Sequence, residues 1–275
     1  MSLVTASIDG SEAKVDALGT IVTEVGQIDD CECAQAVLEQ VLVVITSIDD
    51  PWVKSAALRG IAGVSGRMEG GERAQAMLEQ ILAVAASIGE PGAKIEPLRN
   101  IGIAYGHLGE GARARAVLEQ VLAATASISE AWFKVDVLRS IAIAVAQMDE
   151  SEQAQAVLEQ ALAVTETISE PWFKADILPV IASAYRQLGE SGQAQVVLEQ
   201  ALVDTASIDD PWIKGSRMLS AIAREAGQME ESEQVRVVLE QALAVAASIN
   251  APMPKARALS AIAREAGQME EGEWD

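Results

Sequence analysis

The sequence predicts an all-α solenoid of helix–turn–helix repeats, about six helical pairs followed by one terminal helix. Three observations carry this. The tripeptide Leu-Glu-Gln begins at Leu38, Leu78, Leu118, Leu158, Leu198 and Leu239, in steps of 40 residues with a last step of 41. Lysine keeps the same rhythm at Lys14, Lys54, Lys94, Lys134, Lys174, Lys214 and Lys255, and these are all the lysines of the chain. Half of the 275 residues are hydrophobic but only 3% are aromatic. Such a core is built from Ala, Val, Leu and Ile, which suits closely packed helices, and self-similarity at this period marks stacked helical units.

Each unit divides into a helix A and a helix B of roughly 16–18 residues. The second unit serves as the example. Asp49 and its equivalents Gly89, Ser129, Ser169, Asp209 and Asn250 are residues suited to an N-cap, and acids and prolines follow, where a missing N–H costs little. Leu58, Ile61, Ala62 and Ser65 then recur at helical spacing and give helix A one buried stripe. A turn near Met68-Glu69-Gly70-Gly71 leads to helix B, with Ala74, Met77, Leu78, Ile81, Leu82 and Val84 as its apolar positions and an end near Ser87-Ile88. The repeats fall at approximately 10–49, 50–89, 90–129, 130–169, 170–209 and 210–250, with a terminal helix over 251–268, in a single repeat domain spanning 1–275. The 41-residue step is one extra residue between Lys214 and Leu219, and the stretch Leu219–Glu231 recurs unchanged as Leu259–Glu271. At the other end, Leu3–Asp9 resembles the tail of a helix B, as if the chain began partway through a repeat.

Charge excludes several functions. With a formal net charge of −21 and a pI near 4.4, the chain repels phosphate backbones and anionic membrane surfaces, so nucleic acid and membrane are not expected partners. Cys31 and Cys33 are too few for a disulfide framework and lack the further Cys or His that zinc would need. Neither a signal peptide nor a membrane-spanning run is recognisable, and a cytoplasmic location is expected. His107 is the single histidine, and neither a nucleophile–base pair nor a phosphate-binding glycine loop is evident. The expectation is a protein without catalytic activity and without cofactor or metal.

The third repeat carries a family resemblance. Leu98 and Ile101 precede Gly102, followed by Tyr105, Gly109, Ala114 and Leu118. The fifth repeat has Ala182, Tyr185, Gly189, Ala194 and Leu198 at the same places. This resembles the tetratricopeptide repeat, in which small residues let two helices approach and aromatic and apolar ones fill the space between them. The resemblance covers nearly the whole chain, but the period is 40 where the family has about 34. The turn glycine is replaced by Asp29, Glu69, Asp149 or Glu230, and the tyrosine by Val25, Ser65, Val145 or Ala226. HEAT-type repeats are the alternative at the level of fold. The resemblance implies a right-handed superhelix whose concave surface is lined by A helices and receives a protein or peptide.

Two columns are candidate partner-binding residues. Arg59, Arg67, Arg99, Arg139, Arg186, Arg217, Arg224, Arg257 and Arg264 fall on one flank of the A helices, nine of the thirteen arginines. The guanidinium fork suits carboxylates, so an acidic peptide is one expected ligand; the opposing reading is balance by Asp16, Glu96, Asp136, Asp176, Glu225 and Glu265 nearby. Arg217, Arg224, Arg257 and Arg264 are expected to form a positive patch if Glu225 and Glu265 turn away. Trp52, Trp132, Trp172 and Trp212 share one repeat position, either as binding anchors or as filling between repeats. The lysine column is read as architectural, each ammonium reaching the carbonyls at the end of the preceding helix B or a glutamate. The leading function is a protein-binding scaffold. The alternatives are a self-assembling solenoid stacking through its terminal repeat faces, or a sensor or regulatory region detached from a larger signalling protein.

Overall fold

The structure, a computed structural model, describes residues 11–27, 31–66, 71–148 and 150–268. The expected helix-B remnant at Leu3–Asp9, the turn residues Met68 to Gly70, and Arg67 lie outside the described residues. The fold is all-α and made of helical hairpins, as the period predicts. The A helices are α1 (Ser11–Val25), α3 (Pro51–Ser65), α5 (Pro91–His107), α7 (Ala131–Val145), α9 (Pro171–Gln187), α11 (Ser220–Ala226) and α13 (Pro252–Ala266). The B helices are α2 (Cys31–Thr46), α4 (Gly71–Ala86), α6 (Gly111–Ala126), α8 (Ser151–Thr165), α10 (Ser191–Ala206) and α12 (Ser232–Ala247). A π-helical turn, Ile213–Leu219, runs directly into α11.

The chain forms two compact units, residues 1–127 with 147–153 and residues 128–146 with 154–275. In the first, α1 packs on α3 and α3 on α5, while α2 packs on α4. In the second, α7 packs on α9, α11 on α13, and α10 on α12. Each unit thus has a layer of A helices and a layer of B helices, the arrangement that lets identical hairpins share one continuous core.

The core follows the repeated leucines. The Leu-Glu-Gln leucines Leu38, Leu78, Leu118, Leu158, Leu198 and Leu239 are wholly buried. So are the helix-A leucines Leu18, Leu58, Leu98, Leu138, Leu178 and Leu219. Leu259 belongs to the same column and to the duplicated stretch, yet it is 37% exposed. The difference lies in what covers each: the π turn that carries Leu219 packs on α9 and α10 before it and on α12 and α13 after it, whereas α13 packs only on the π turn, α11 and α12 among the described residues. Small residues set the closeness of the hairpin. At Gly102 an added Cβ would lie 2.6 Å from Leu118 Cδ2, so with glycine here the Leu118 side chain packs directly on the backbone of α5. Tyr105 and Tyr185 fill the adjacent space, and burial, with neighbouring glutamates, pushes the Tyr185 hydroxyl up to about 12.

Two of the turns end in the same capping motif. Gly109 (φ 72°) and Gly189 (φ 81°) are left-handed. Glu110 N–H donates to Tyr105 O and Gly109 N–H to Gly106 O, with the equivalent pair at Glu190–Tyr185 and Gly189–Arg186. This Schellman closure needs the glycines that the third and fifth repeats supply.

The helix-A N-caps sit one residue later than the sequence reading placed them. Asp50, not Asp49, accepts from Trp52 N–H (2.9 Å) and Val53 N–H (3.0 Å), and Asp210 does the same for Trp212 and Ile213. Where this position holds Glu90, Glu130 or Glu170, the side chain makes no capping bond. The extra methylene carries the carboxylate past the N–H groups that aspartate reaches.

The extra residue of the 41-residue step is absorbed by the π turn. An α-helix with one residue added would rotate its two ends by about 100° relative to each other. In the π turn, Lys214 and Leu219, five apart, take the roles of Lys174 and Leu178, four apart. Both ends therefore keep their neighbours: Lys214 Nζ donates to Ala206 O (2.9 Å) and Leu219 stays buried. Gly215 permits this, because a Cβ there would lie 2.6 Å from Pro254 O of α13.

The lysine column ties repeats together. Lys94 donates to Ala86 O (3.0 Å) and Lys255 to Ala247 O (2.8 Å), each closing the carbonyl end of the preceding helix B. Lys174 instead pairs with Glu166 (2.9 Å), and Lys134 donates to Thr167 Oγ1 (2.7 Å). Thermal or denaturant unfolding of variants tests the core: Leu138→Ala should cost about 2–5 kcal/mol, as loss of a buried leucine does. Leu259→Ala, from the same column but partly exposed, should cost less than half as much; equal losses would mean that the column position, not its cover, sets the energy.

Candidate functional site

Three sets of neighbours decide what the arginine and tryptophan side chains of the A helices are free to do.

The first set is an ion ladder between successive A helices. Arg59 lies 3.9 Å from Glu96 of the next A helix, and Arg99 pairs with Glu96 within its own helix at 2.7 Å. In the second unit, Arg139 on α7 reaches Asp176 on α9 at 2.7 Å, and Arg217 in the π turn reaches the other oxygen of Asp176 at 2.9 Å. Asp176 is thus held between two guanidiniums on adjacent helices. Arg186 on α9 pairs with Glu225 on α11 at 2.9 Å and also donates to Gln228. These pairs span 37, 39 and 41 residues, so each joins one repeat to the next.

The second set is what the ladder leaves over. Arg224 on α11 and Arg264 on α13 occupy the same register position, both are exposed, and neither makes an ion pair among the described residues. Glu225, expected to neutralise them, is taken by Arg186. Glu265 lies over the backbone of Gly227, where its Oε2 comes within 2.5 Å of a glycine Cβ position. Arg257, also exposed, places its guanidinium 5.3 Å from the centre of the Trp212 ring. Of the four arginines expected to cluster near the last two repeats, Arg217 is committed to Asp176, Arg257 covers an aromatic face, and Arg224 and Arg264 present unpaired cations.

The third set is the tryptophan column at the start of the A helices. The Trp52 ring lies against Gly92, the next repeat's equivalent position, where a Cβ would stand 3.3 Å away. Trp172 stacks on Phe173 and packs with Ile213 on a small core of Ala175, Ile208 and Met218. Trp172 thus fills space between repeats, whereas Trp52 stays 58% exposed beside its contact with Gly92. Trp132 and Trp212 remain 63% and 50% exposed.

The first unit also holds a groove of about 770 Å³ between α1 and α3. Gly19 and Gly60 form part of its lining, with Val22, Thr23, Val64 and Arg59 around them. The wheel reading of the sequence did not find this groove. Its signal was the absence of side chains at Gly19 and Gly60, where later repeats carry larger residues.

Among the described residues no group of three or more His, Cys, Asp or Glu is arranged to hold a metal ion, and no helix is long and apolar enough to cross a membrane. Cys33 is exposed and not in a disulfide.

No protein-family profile matches the chain, and no curated protein matches it. Solved structures do. Two crystal structures of nearly identical TPR-like repeats, described as from a kinesin light chain of Podospora anserina, are similar at 20% and 21% identity. Each match covers 72% of this chain and 98% of the other, with a TM-score of 0.45. Ton1535 from Thermococcus onnurineus NA1 is similar at 17% identity over 95% of this chain and 94% of its own, with a TM-score of 0.38.

Alanine substitution separates tied arginines from free ones. Arg186→Ala should lower unfolding free energy by about 1–3 kcal/mol, because it strands the mostly buried Glu225 carboxylate. Arg264→Ala should stay within about 0.5 kcal/mol of the parent. Equal effects in chemical denaturation would erase the distinction.

Proposed function

We propose that this protein is a non-catalytic scaffold that binds an acidic segment of a partner protein on the A-helix face of its last two repeats. The observation that carries the reading is the contrast among arginines. Arg59, Arg99, Arg139, Arg186 and Arg217 are engaged by carboxylates of the chain itself, while Arg224 and Arg264 are exposed without one. In a chain of net charge −21, carboxylates are abundant, so two adjacent unpaired guanidiniums are the exception. A guanidinium binds carboxylate in a bidentate, directional way, which favours a polypeptide acid over diffuse counter-ions. The surrounding negative field opposes docking of nucleic acid, and the reading places the protein in the cytoplasm with no cofactor.

The test is fluorescence anisotropy with a labelled peptide of alternating Glu and Ser. Binding should weaken as salt rises, because the contact is between partly exposed charges. The double variant Arg224→Glu/Arg264→Glu should bind at least about 10-fold more weakly, the loss of two charge-assisted contacts. Unchanged affinity in that variant would refute the placement of the site.

A further inference from the structure

The start of the A helices in the second unit carries a second surface, with the opposite charge preference. We propose that the edge formed by Trp132 on α7 and Trp172 on α9, together with Glu130 and Glu170, binds an arginine-bearing basic segment of a partner protein. The proposal is independent of the acidic-ligand reading, since it uses none of the residues assigned there.

Three observations meet at this edge. Trp132 is the most exposed tryptophan of its column, 63% open to solvent, although α7 and α9 pack side by side. Glu130 and Glu170 stand two residues before Trp132 and Trp172 and are exposed. They hold the N-cap positions of α7 and α9 without spending their carboxylates on capping, whereas Asp210 is consumed by the N–H groups of Trp212 and Ile213. Among the described residues, the Glu130 carboxylate accepts only the nearby Ser129 hydroxyl, at 3.1 Å. The edge therefore presents the exposed indole of Trp132 and two uncommitted carboxylates, while Trp172 is stacked on Phe173. The lysines of the same helices do not neutralise it, for Lys174 is paired with Glu166 and Lys134 is buried against Thr167.

The third observation shows what such a tryptophan accepts. One repeat-pair further on, Arg257 lays its guanidinium over Trp212 at 5.3 Å. Arg257 stands two residues before its helix-A leucine, Leu259; the residue two before Leu178 is Asp176. Asp176 is already bound by Arg139 and Arg217. The column thus supplies a guanidinium to Trp212 from within the chain, whereas its equivalent in the repeat after Trp132 is Asp176, which brings that indole no cation. A cation–π contact is strongest for a planar, weakly hydrated guanidinium, which stacks on the ring while its N–H groups reach adjacent carboxylates. An arginine from outside completes at Trp132 what Arg257 completes at Trp212.

The experiment titrates the whole protein with three labelled peptides, alternating Arg–Ser, Lys–Ser and Glu–Ser, followed by anisotropy and by tryptophan fluorescence. The Arg–Ser peptide should bind more tightly than the Lys–Ser peptide and perturb the emission. Trp132→Ala should weaken it about 3- to 10-fold, the range of an exposed-to-desolvated cation–π contact. Glu130→Gln/Glu170→Gln should weaken it as well, while Arg224→Gln/Arg264→Gln should leave it unchanged. Trp132 is exposed, so Trp132→Ala should keep the parent's circular dichroism and its affinity for the Glu–Ser peptide. Equal binding of the Arg–Ser and Lys–Ser peptides together with no effect of Trp132→Ala would overturn the proposal, reducing the attraction to net charge. Loss of Glu–Ser binding alone would count against the acidic-ligand reading and not against this one.

Discussion

Within each unit, the contact on which the rest of the structure depends is the junction between the end of a helix B and the start of the next helix A. Lys94, Lys214 and Lys255 each donate to the last turn of helix B eight residues back, Lys174 meets Glu166 just after that turn, and an isoleucine at the same junction, such as Ile88, Ile208 or Ile249, is buried. The lysine meets the negative end of the helix dipole, and the isoleucine supplies apolar burial at the same spot. With both fixed, successive A helices start in the same register. Only then do residues 37 to 41 apart face one another, and only then do the arginine, acid and tryptophan columns become rows on a surface. The π turn of the sixth repeat shows how strictly the register is kept. The helix changes its hydrogen bonding to hold Lys214 at the junction and Leu219 in the core, and does not let either slip by a residue.

That register converts a sequence of many acids and few bases into a surface with local sign. Asp176 between Arg139 and Arg217, and Glu225 under Arg186, are interrepeat ties whose charges are largely cancelled. Uncancelled cations of the arginine column are sparse, two guanidiniums on α11 and α13, whereas with 41 acidic and 20 basic residues many carboxylates stay unpaired, among them those beside the exposed indole of α7. The two surfaces carry opposite local sign, and the two binding proposals rest on that difference.

Much of this was legible in the sequence. The period, the two helices per unit, the buried leucine columns and the lysine ties follow from spacing alone, because each repeats often enough to outweigh local ambiguity. The position of the extra residue was legible too, but not its form, since the same insertion is absorbed equally well on paper by a longer loop. The caps were misplaced by one residue because Asp49 and Asp50 both suit the role, and only the geometry separates them. The arginines illustrate the main limit. A helical wheel shows that Arg186 and Arg224 lie on one flank, but not that Arg186 reaches Glu225 on the next helix while Arg224 reaches no acid among the described residues. Pairing across repeats depends on the offset between helices, which is a tertiary quantity. Burial has the same origin, as the duplicated Leu219 and Leu259 show.

The central claim, that the arginines of one column divide into ties and free cations, is tested most directly by side-chain NMR of the guanidinium Nε–H groups. The account predicts high order parameters for Arg139 and Arg186, which are fixed by Asp176 and Glu225, and low ones for Arg224 and Arg264 in the free protein. Uniform mobility across all four, or rigid Arg224 and Arg264 in the absence of ligand, would contradict it.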